Sequence, residues 1–187
     1  MALRINEVVR RLSPFVDEGV EVLDLGAGTG KVARLLRERC GIRLTLADIV
    51  PNNRTDLPFV QIDDPYCVPL PDRSFDTVLL LFVLHHVPDT GGQRKLLEEC
   101  RRLARRRVLI MEDTPATKLE RLINTGWDWV LNFYLGVPTP FTFRTTGEWI
   151  EEFRSCGFET LRHERYRPIW PTLKTYHHTF FVLGNRD

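Results

Sequence analysis

Residues 22–30, which read Val-Leu-Asp-Leu-Gly-Ala-Gly-Thr-Gly, constrain the fold of this chain more than any other stretch. A short apolar run contains an acidic residue near its end, Asp24, and leads into Gly26, Gly28 and Gly30 and then into a helical pattern. Glycine lets a turn adopt backbone angles that other residues avoid, and it lets a ligand approach the chain closely. The first amide groups of the following helix have no partner within that helix. The stretch therefore predicts a nucleotide-type cleft at the carboxyl end of a first parallel strand.

The spacing of the glycines distinguishes between two kinds of nucleotide. A dinucleotide fingerprint reads G-x-G-x-x-G, whereas this loop reads G-x-G-x-G and has Lys31 in place of the third glycine. A carboxylate at Asp24 would repel a pyrophosphate, but it suits a ligand that carries an ammonium and a sulfonium. The loop therefore favours S-adenosylmethionine (SAM) over NAD, and a tight turn without a ligand is the alternative. The loop residues expected to contact the cofactor are Asp24, Gly26, Ala27, Gly28 and Gly30.

Strand-like and helix-like stretches alternate along the chain, as is typical of a parallel sheet with crossover helices. The predicted strands are Val20–Leu25, Ile42–Ala47, Phe59–Ile62, Phe75–Phe82, Val108–Met111, Phe158–Tyr166 and His178–Leu183. The predicted helices cover 3–16, 30–40, 91–105 and 146–156, with a further helix that begins after Thr114. Thr145 and Glu148 have the spacing of a capping box for the last of them.

On this glycine loop and the alternation around it, the chain resembles the class I SAM-dependent methyltransferases, in particular the small-molecule enzymes of ubiquinone and menaquinone biosynthesis. The resemblance covers about residues 18–184 and is most specific before residue 113. It implies an α/β, Rossmann-like fold in one domain, 1–187, with helices on both faces of a seven-stranded, mostly parallel sheet that ends in an antiparallel hairpin. It also implies SAM as the cofactor, S-adenosylhomocysteine as the product, and a lid-like insert, 114–145, over the acceptor pocket.

The ends of the second and fourth strands supply further cofactor candidates. Asp48 ends the second strand, from where a carboxylate reaches ribose hydroxyls, and the resemblance places the ribose carboxylate there, with Ile49 beside it. The segment Leu80–Pro88 resembles the family's fourth-strand ending, which implies that the backbone of Leu81 and Phe82 lies near the methionine moiety. That ending lacks the aspartate of metal-dependent relatives, so no metal is expected.

The adenine candidates lie after the third strand. The frame Asp64-Pro65-Tyr66-Cys67-Val68-Pro69-Leu70 resembles the family's Asp-Ala-x-x-Leu-Pro-Phe, whose Asp accepts a hydrogen bond from the adenine amino group. Pro65 departs from this pattern, because it has no N–H to offer the adenine ring. The register leaves Asp63 as an alternative to Asp64.

Three residues are candidates for catalysis. His85 and His86 follow the fourth strand, at the mouth of the predicted cleft, and a histidine that titrates near neutrality suits removal of a proton from the acceptor. Adjacent strand residues face opposite ways, so only one of them is expected to face the methyl group, and His85 is nearer the strand end. Packing of the following turn is the alternative role for each. Asp113 ends the fifth strand and is expected to bind the acceptor, orient a histidine or favour the next helix's dipole.

Composition limits the other classes of partner. The net charge of +1 gives no overall attraction to nucleic acid, and the run Arg101–Arg107 is interpreted as a solvated helix end. No apolar run approaches the ~20 residues of a membrane span, and no apolar core of a signal peptide is seen. The scattered Cys40, Cys67, Cys100 and Cys156 indicate free thiols, hence a reducing, cytoplasmic location.

The sequence therefore predicts a SAM-dependent methyltransferase that acts on a small, apolar or aromatic acceptor at oxygen, nitrogen or carbon. The aromatic residues of 127–143 support such an acceptor, and they are also compatible with a homodimer contact. Two alternatives stay open: a SAM-binding regulatory or partner subunit without catalysis, and an enzyme that acts on RNA or protein.

Overall fold

The computed structural model of the chain describes residues 2–116, 120, 142–167 and 177–186. Within them a seven-stranded sheet has the order β3-β2-β1-β4-β5-β7-β6. Neighbours from β3 to β5 pair in parallel, and β7 runs antiparallel to both β5 and β6. This confirms the predicted α/β sheet with its C-terminal antiparallel hairpin. The strands are β1 Glu21–Leu25, β2 Arg43–Asp48, β3 Phe59–Gln61, β4 Phe75–Leu81, β5 Ala104–Asp113, β6 Phe158–Tyr166 and β7 His178–Asn185.

Helices cover both faces of the sheet, as the family resemblance implies. The described α-helices are α1 Ala2–Leu12, α2 Lys31–Cys40, α3 Thr90–Leu103 and α4 Thr146–Ser155. Leu12 of α1 and Leu36 of α2 are buried in a core on one face, while Leu97 of α3 and Phe153 of α4 are buried in a core on the other. None of the helices in these described ranges is long and apolar enough to cross a membrane.

The alternation of side chains along β5 decides where its acidic end points. Leu109 and Met111 pack into the core beneath α1 and α2, whereas Ile110 packs into the core beneath α3 and α4. Because successive strand residues face opposite sides of a sheet, Asp113 continues the α1–α2 face and Glu112 continues the α3–α4 face. Two neighbouring carboxylates are thereby delivered to different sides of the same strand end.

The fourth strand was predicted to cover Phe75–Phe82, and it ends one residue earlier, with a turn that the sequence did not predict. The strand ends at Leu81, and Phe82 takes a left-handed φ of 59° while its N–H donates to the carbonyl of Met111 at 2.8 Å. A short 3₁₀ helix, Leu84–His86, follows. The two histidines therefore lie on a helical turn, where strand alternation does not apply.

The arginine run also differs from the prediction. Helix α3 ends at Leu103, so Arg105 and Arg106 open β5 and are not the tail of a helix. Their side chains stay half-exposed, and each lies within 4 Å of a carboxylate, Asp76 or Asp17. The glycine loop follows the carboxyl end of β1, so the amino end of β5 lies at the opposite end of these parallel strands.

The helix cap at Thr145 was predicted from the sequence, as was the insert 114–145. Thr145 and Glu148 form the predicted capping box of α4, with each side chain accepting the other residue's backbone N–H. Most of the insert 114–145 and of its predicted helix lies outside the described residues. At its start, Thr114 donates a backbone N–H to the carbonyl of His177 at 2.8 Å and shares a 2.6 Å hydroxyl contact with Thr179.

Candidate active site

The glycine loop after β1 is fastened to the end of β2. Gly26 and Ala27 donate their N–H groups to the carbonyl of Ala47 at 2.8 and 3.3 Å. Gly28 donates to Oδ2 of Asp48 at 2.7 Å. The structure therefore brings the predicted ribose carboxylate against the predicted cofactor loop, with one of its oxygens held by the loop itself.

Two glycines of the loop have different physical reasons to lack a side chain. Gly26 has a φ of 77°, and a Cβ there would lie 2.6 Å from Val83, so packing alone requires glycine. Gly28 has a φ of 53°, yet a Cβ there would meet nothing within 4 Å. The space above Gly28 is open, which is what a loop needs if a ligand is to approach its backbone closely.

Asp24 is a buried carboxylate with an unsatisfied oxygen. It is 2% exposed, and its Oδ1 has no hydrogen-bond partner among the described residues. Burial, and then the neighbouring charge of Asp48, raise the pKa of Asp24 to about 7. A buried charge is costly unless it is paired, so this position would be stabilised in its ionised form by a ligand that brings a positive charge.

Asp24 opens onto a cavity of about 190 Å³ between the glycine loop and the end of β4. Gly26, Ala27, Leu81 and Phe82 line it as well, so five of the predicted cofactor residues meet here. The volume is below the ~300–1,000 Å³ of pockets that enclose a whole drug-sized ligand. The cavity therefore suits one end of a cofactor, with the rest lying along the rim of the sheet.

The N-terminal helix also lines this cavity, which the sequence analysis did not anticipate. Arg4, Ile5 and Val8 of α1 reach it, together with Val32 of α2. The sequence predicts a helix over 3–16, but no local signal says which strand end an N-terminal helix will cover.

The rim beyond β2 and β3 carries the remaining cofactor candidates. Ile49 is 52% exposed although it is apolar, so it offers a bare surface beside Asp48. Asp64 accepts a hydrogen bond from the N–H of Tyr66 at 2.8 Å and so closes its own turn, whereas Asp63 is exposed and takes no part in that bond. The structure does not bring either carboxylate into the 190 Å³ cavity.

His85 is paired with a buried glutamate that was not among the predicted site residues. Its Nδ1 lies 2.7 Å from Oε2 of Glu112, which is fully buried, while Oε1 of Glu112 accepts the N–H of Leu84 at 2.6 Å. When Glu112 is ionised it only accepts hydrogen bonds, so Nδ1 is then the donor, and the lone pair of a neutral ring lies on Nε2. This is the tautomer that a general base requires. Its pairing with Glu112 joins residues 27 positions apart, for which the sequence carries no signal.

His85 is 7% exposed and does not line the cavity, which corrects the expectation of a histidine at an open mouth. Its ring stacks on that of Phe143 with 5.4 Å between the ring centroids. The ring of His86, on the same helical turn, has its centroid 4.1 Å from that of His85. Gln93 ties this turn to the end of the insert by donating to the carbonyls of Leu84 and Thr142 at 3.0 and 3.1 Å. His85 therefore lies beneath the last residues of the insert.

Asp113 is placed apart from His85. It pairs with His178 of β7, and both residues are about 4% exposed. The ring of His178 contacts Phe82 edge-on at 5.0 Å, on the α1–α2 face of the sheet. Asp113 does hold a histidine, as one prediction for it proposed, but the partner is neither His85 nor His86.

No group of three or more His, Cys, Asp or Glu side chains that could hold a metal ion occurs within the residues that the structure describes. The absence of a metal requirement stays a prediction.

Comparison with known proteins identifies the class. A family model described as a methyltransferase domain matches residues 1–163. The chain is also 32% identical over 148 residues to a demethylmenaquinone methyltransferase of Thermotoga maritima; the match covers 74% of this chain and 58% of that protein. The chain therefore belongs to the class I SAM-dependent methyltransferases and is similar to the ubiquinone and menaquinone biosynthesis enzymes. It spans little more than half the length of this relative.

Solved structures share the fold. One is a chain of the complex between the Trm112 methyltransferase activator of Haloferax volcanii and a methyltransferase, with a TM-score of 0.76, 21% identity, and coverage of 98% of this chain and 90% of that one. Another is the 1,6-didemethyltoxoflavin-N1-methyltransferase of Burkholderia thailandensis, with bound 1,6-didemethyltoxoflavin and S-adenosylhomocysteine. Its TM-score is 0.72 at 18% identity, over 98% of this chain and 79% of that one.

Proposed function

We propose that the chain transfers a methyl group from SAM to a small apolar or aromatic acceptor. The observation that carries this proposal is Asp24, a buried carboxylate with an unsatisfied oxygen beside an open glycine loop. SAM supplies a methyl group bonded to a sulfonium, and its ammonium and sulfonium are the positive charges that such a carboxylate favours. Asp48 would hold the ribose, and Ile49 with Asp63 or Asp64 would hold the adenine.

For the acceptor, we propose a hydroxylated aromatic ring of the quinol type as the first class to test. The relative from Thermotoga maritima is a demethylmenaquinone methyltransferase, which supports this class, as do the aromatic residues in the sequence of the insert. An acidic hydroxyl fits the proposed chemistry because its loss of a proton makes either the oxygen or the ring carbon nucleophilic. The acceptor then gains the methyl group and loses one proton, while S-adenosylhomocysteine leaves.

We assign removal of that proton to Nε2 of His85. Glu112 fixes the tautomer, and the pairing stabilises the imidazolium that forms when the proton arrives. Asp113 and His178, which lie on the other face against Phe82, have a positioning role at the methionine end. His86 packs beside His85 and supports its ring.

The test is a methyl-transfer assay with tritium-labelled SAM and a panel of quinols, catechols and heteroaromatic amines. We expect turnover with at least one hydroxylated aromatic compound. His85→Ala should keep SAM affinity within about twofold and lower turnover by ~10²-fold or more. Binding of SAM with no transfer to any member of the panel would favour a non-catalytic SAM-binding subunit.

A further inference from the structure

The cavity beside the glycine loop is lined by one acidic and one basic side chain that do not pair with each other. Asp24 lies on the strand side and Arg4 on the helix side. No ion pair joins them within the described residues, and Arg4 is not among the charges that shift the pKa of Asp24. Arg4 is also without a carboxylate partner in the described part of the chain. Its guanidinium instead lies over the ring of Phe82, 4.7 Å from the centroid.

Arg4 is exposed to solvent, yet it lines a cavity that is proposed to hold a cationic cofactor. SAM carries a sulfonium and an ammonium, and both would be repelled by a guanidinium nearby. Its one anionic group is the carboxylate of the methionine end. A guanidinium in this cavity favours binding only if it meets that carboxylate, for which its planar donors are well suited.

We propose that Arg4 binds the carboxylate of the cofactor's methionine end while Asp24 binds the ammonium. The inference rests on the proposed function, because it takes SAM as the ligand. Two separated opposite charges in 190 Å³ match the two separated charges of an α-amino acid group. Helix α1 thereby becomes part of the cofactor site, and cofactor binding fastens it over the glycine loop.

The test compares SAM with decarboxylated SAM, which keeps the sulfonium and the amine but lacks the carboxylate. Calorimetry would give Kd values for both ligands with the wild type, Arg4→Gln, Arg4→Lys and the control Arg10→Gln. Arg10 is exposed on the same helix and does not line the cavity. Wild type should bind decarboxylated SAM about tenfold more weakly than SAM, since a charge-assisted hydrogen bond is lost.

Arg4→Gln should bind SAM about tenfold more weakly than wild type and bind decarboxylated SAM within about twofold of it. Arg4→Lys should retain part of the preference for SAM, and Arg10→Gln should retain all of it. The inference is overturned if Arg4→Gln weakens both ligands equally, because Arg4 would then act only through the packing of α1. It is also overturned if Arg4→Gln binds SAM like wild type. If the wild type binds neither ligand, the proposed function fails, and this inference fails with it.

Discussion

The imidazole Nδ1 of His85 lies 2.7 Å from Oε2 of Glu112, and the other oxygen of this fully buried glutamate accepts the N–H of Leu84 at 2.6 Å. Both carboxylate oxygens are thus used, one to hold the backbone of the histidine's turn and one to hold its ring. The arrangement fixes the position of His85, and with Glu112 ionised it also sets the tautomer of the neutral ring.

Replacing Glu112 by Gln tests this relationship. The amide oxygen would accept from Leu84, so the amide nitrogen would donate to Nδ1 of His85 and force the proton onto Nε2. We expect turnover to fall by ~10²-fold or more, since a positioned base contributes about that much, while SAM affinity stays within about twofold. Nitrogen-15 NMR of the imidazole would report the change of tautomer.

Glu99→Gln is the matched control for this variant. Glu99 is also a buried glutamate that accepts a backbone N–H, from Val68 at 2.7 Å, and it pairs with Arg102 away from the site. It should lose stability without losing turnover once the protein is folded. Equal losses of turnover in the two variants would mean that Glu112 acts only through general stability.

The raised pKa of Asp24 predicts a pH dependence of cofactor binding. In the free protein its pKa is about 7, and a cationic ligand favours the ionised form. SAM binding should therefore tighten as the pH rises through about 7, by up to ~10-fold for each pH unit below it, and level off above. Asp24→Asn should bind SAM more weakly at pH 8 and show no such dependence. Wild-type affinity that stays flat from pH 5.5 to 8.5 would contradict this role.

The raised pKa of Asp24 predicts the opposite pH dependence for the stability of the free protein. Folding raises the pKa of Asp24 from 3.8 to about 7, so between these values the folded protein holds a proton that the unfolded chain releases. The free energy of unfolding of the free protein should then fall as the pH rises across that window. Asp24→Asn should raise it at pH 8 by up to about 4 kcal/mol, because each pKa unit corresponds to about 1.4 kcal/mol. Denaturant titration at pH 5 and pH 8 measures the difference, and a destabilised variant at pH 8 would be inconsistent with it.

Gly28→Ala tests whether the open space above Gly28 is needed for SAM binding, as distinct from the strain of a left-handed φ. A left-handed φ of 53° disfavours alanine by about 1 kcal/mol, and its methyl group would enter the open space above the loop. We expect SAM affinity to drop at least tenfold. Gly41→Ala is the control, since Gly41 has a φ of 66° at the end of α2, where a Cβ would meet only the side chain of Glu18 at 3.1 Å. Gly41→Ala should lower the free energy of unfolding by a similar amount and leave SAM affinity unchanged. A similar loss of SAM affinity in the two variants would refute the role of Gly28.

The arginines at the start of β5 are expected to be structural surface residues. Arg105 and Arg106 are half-exposed and lie 3.6 and 3.7 Å from Asp76 and Asp17. Reversing both charges should lower the free energy of unfolding by at most ~1 kcal/mol for each pair and leave SAM affinity unchanged. RNA binding by the wild type and the double variant is measured by filter binding at 50 and 200 mM salt. Salt-sensitive binding that the double variant loses would contradict the structural role and favour a nucleic-acid substrate.

The fold and the cofactor loop were predictable because their signals are local. The glycine spacing after an apolar run with Asp24, and the continuous apolar stretch of β4, each specify an element within about ten residues. The predicted boundary of β5 was wrong because its first residues are arginines, which a short-range pattern assigns to a helix end. Their strand conformation comes from pairing with β4, beginning at Phe75 and Ala104.

The partners within the candidate site were not predictable, because they depend on contacts between distant segments. Glu112 reaches His85 only after β4 turns at Phe82, a left-handed residue whose conformation nothing in its neighbours specifies. Arg4 reaches the cavity only because α1 packs beside α2. A residue type can be recognised as chemically capable from the sequence, but its partner is set by the tertiary fold.

Calorimetric titration of the chain with SAM, with NADH as the comparison, tests the central claim most directly. We expect one site for SAM with a Kd in the micromolar range, about 8 kcal/mol of binding free energy, and no heat of binding with NADH. Binding of NADH with no response to SAM would contradict it.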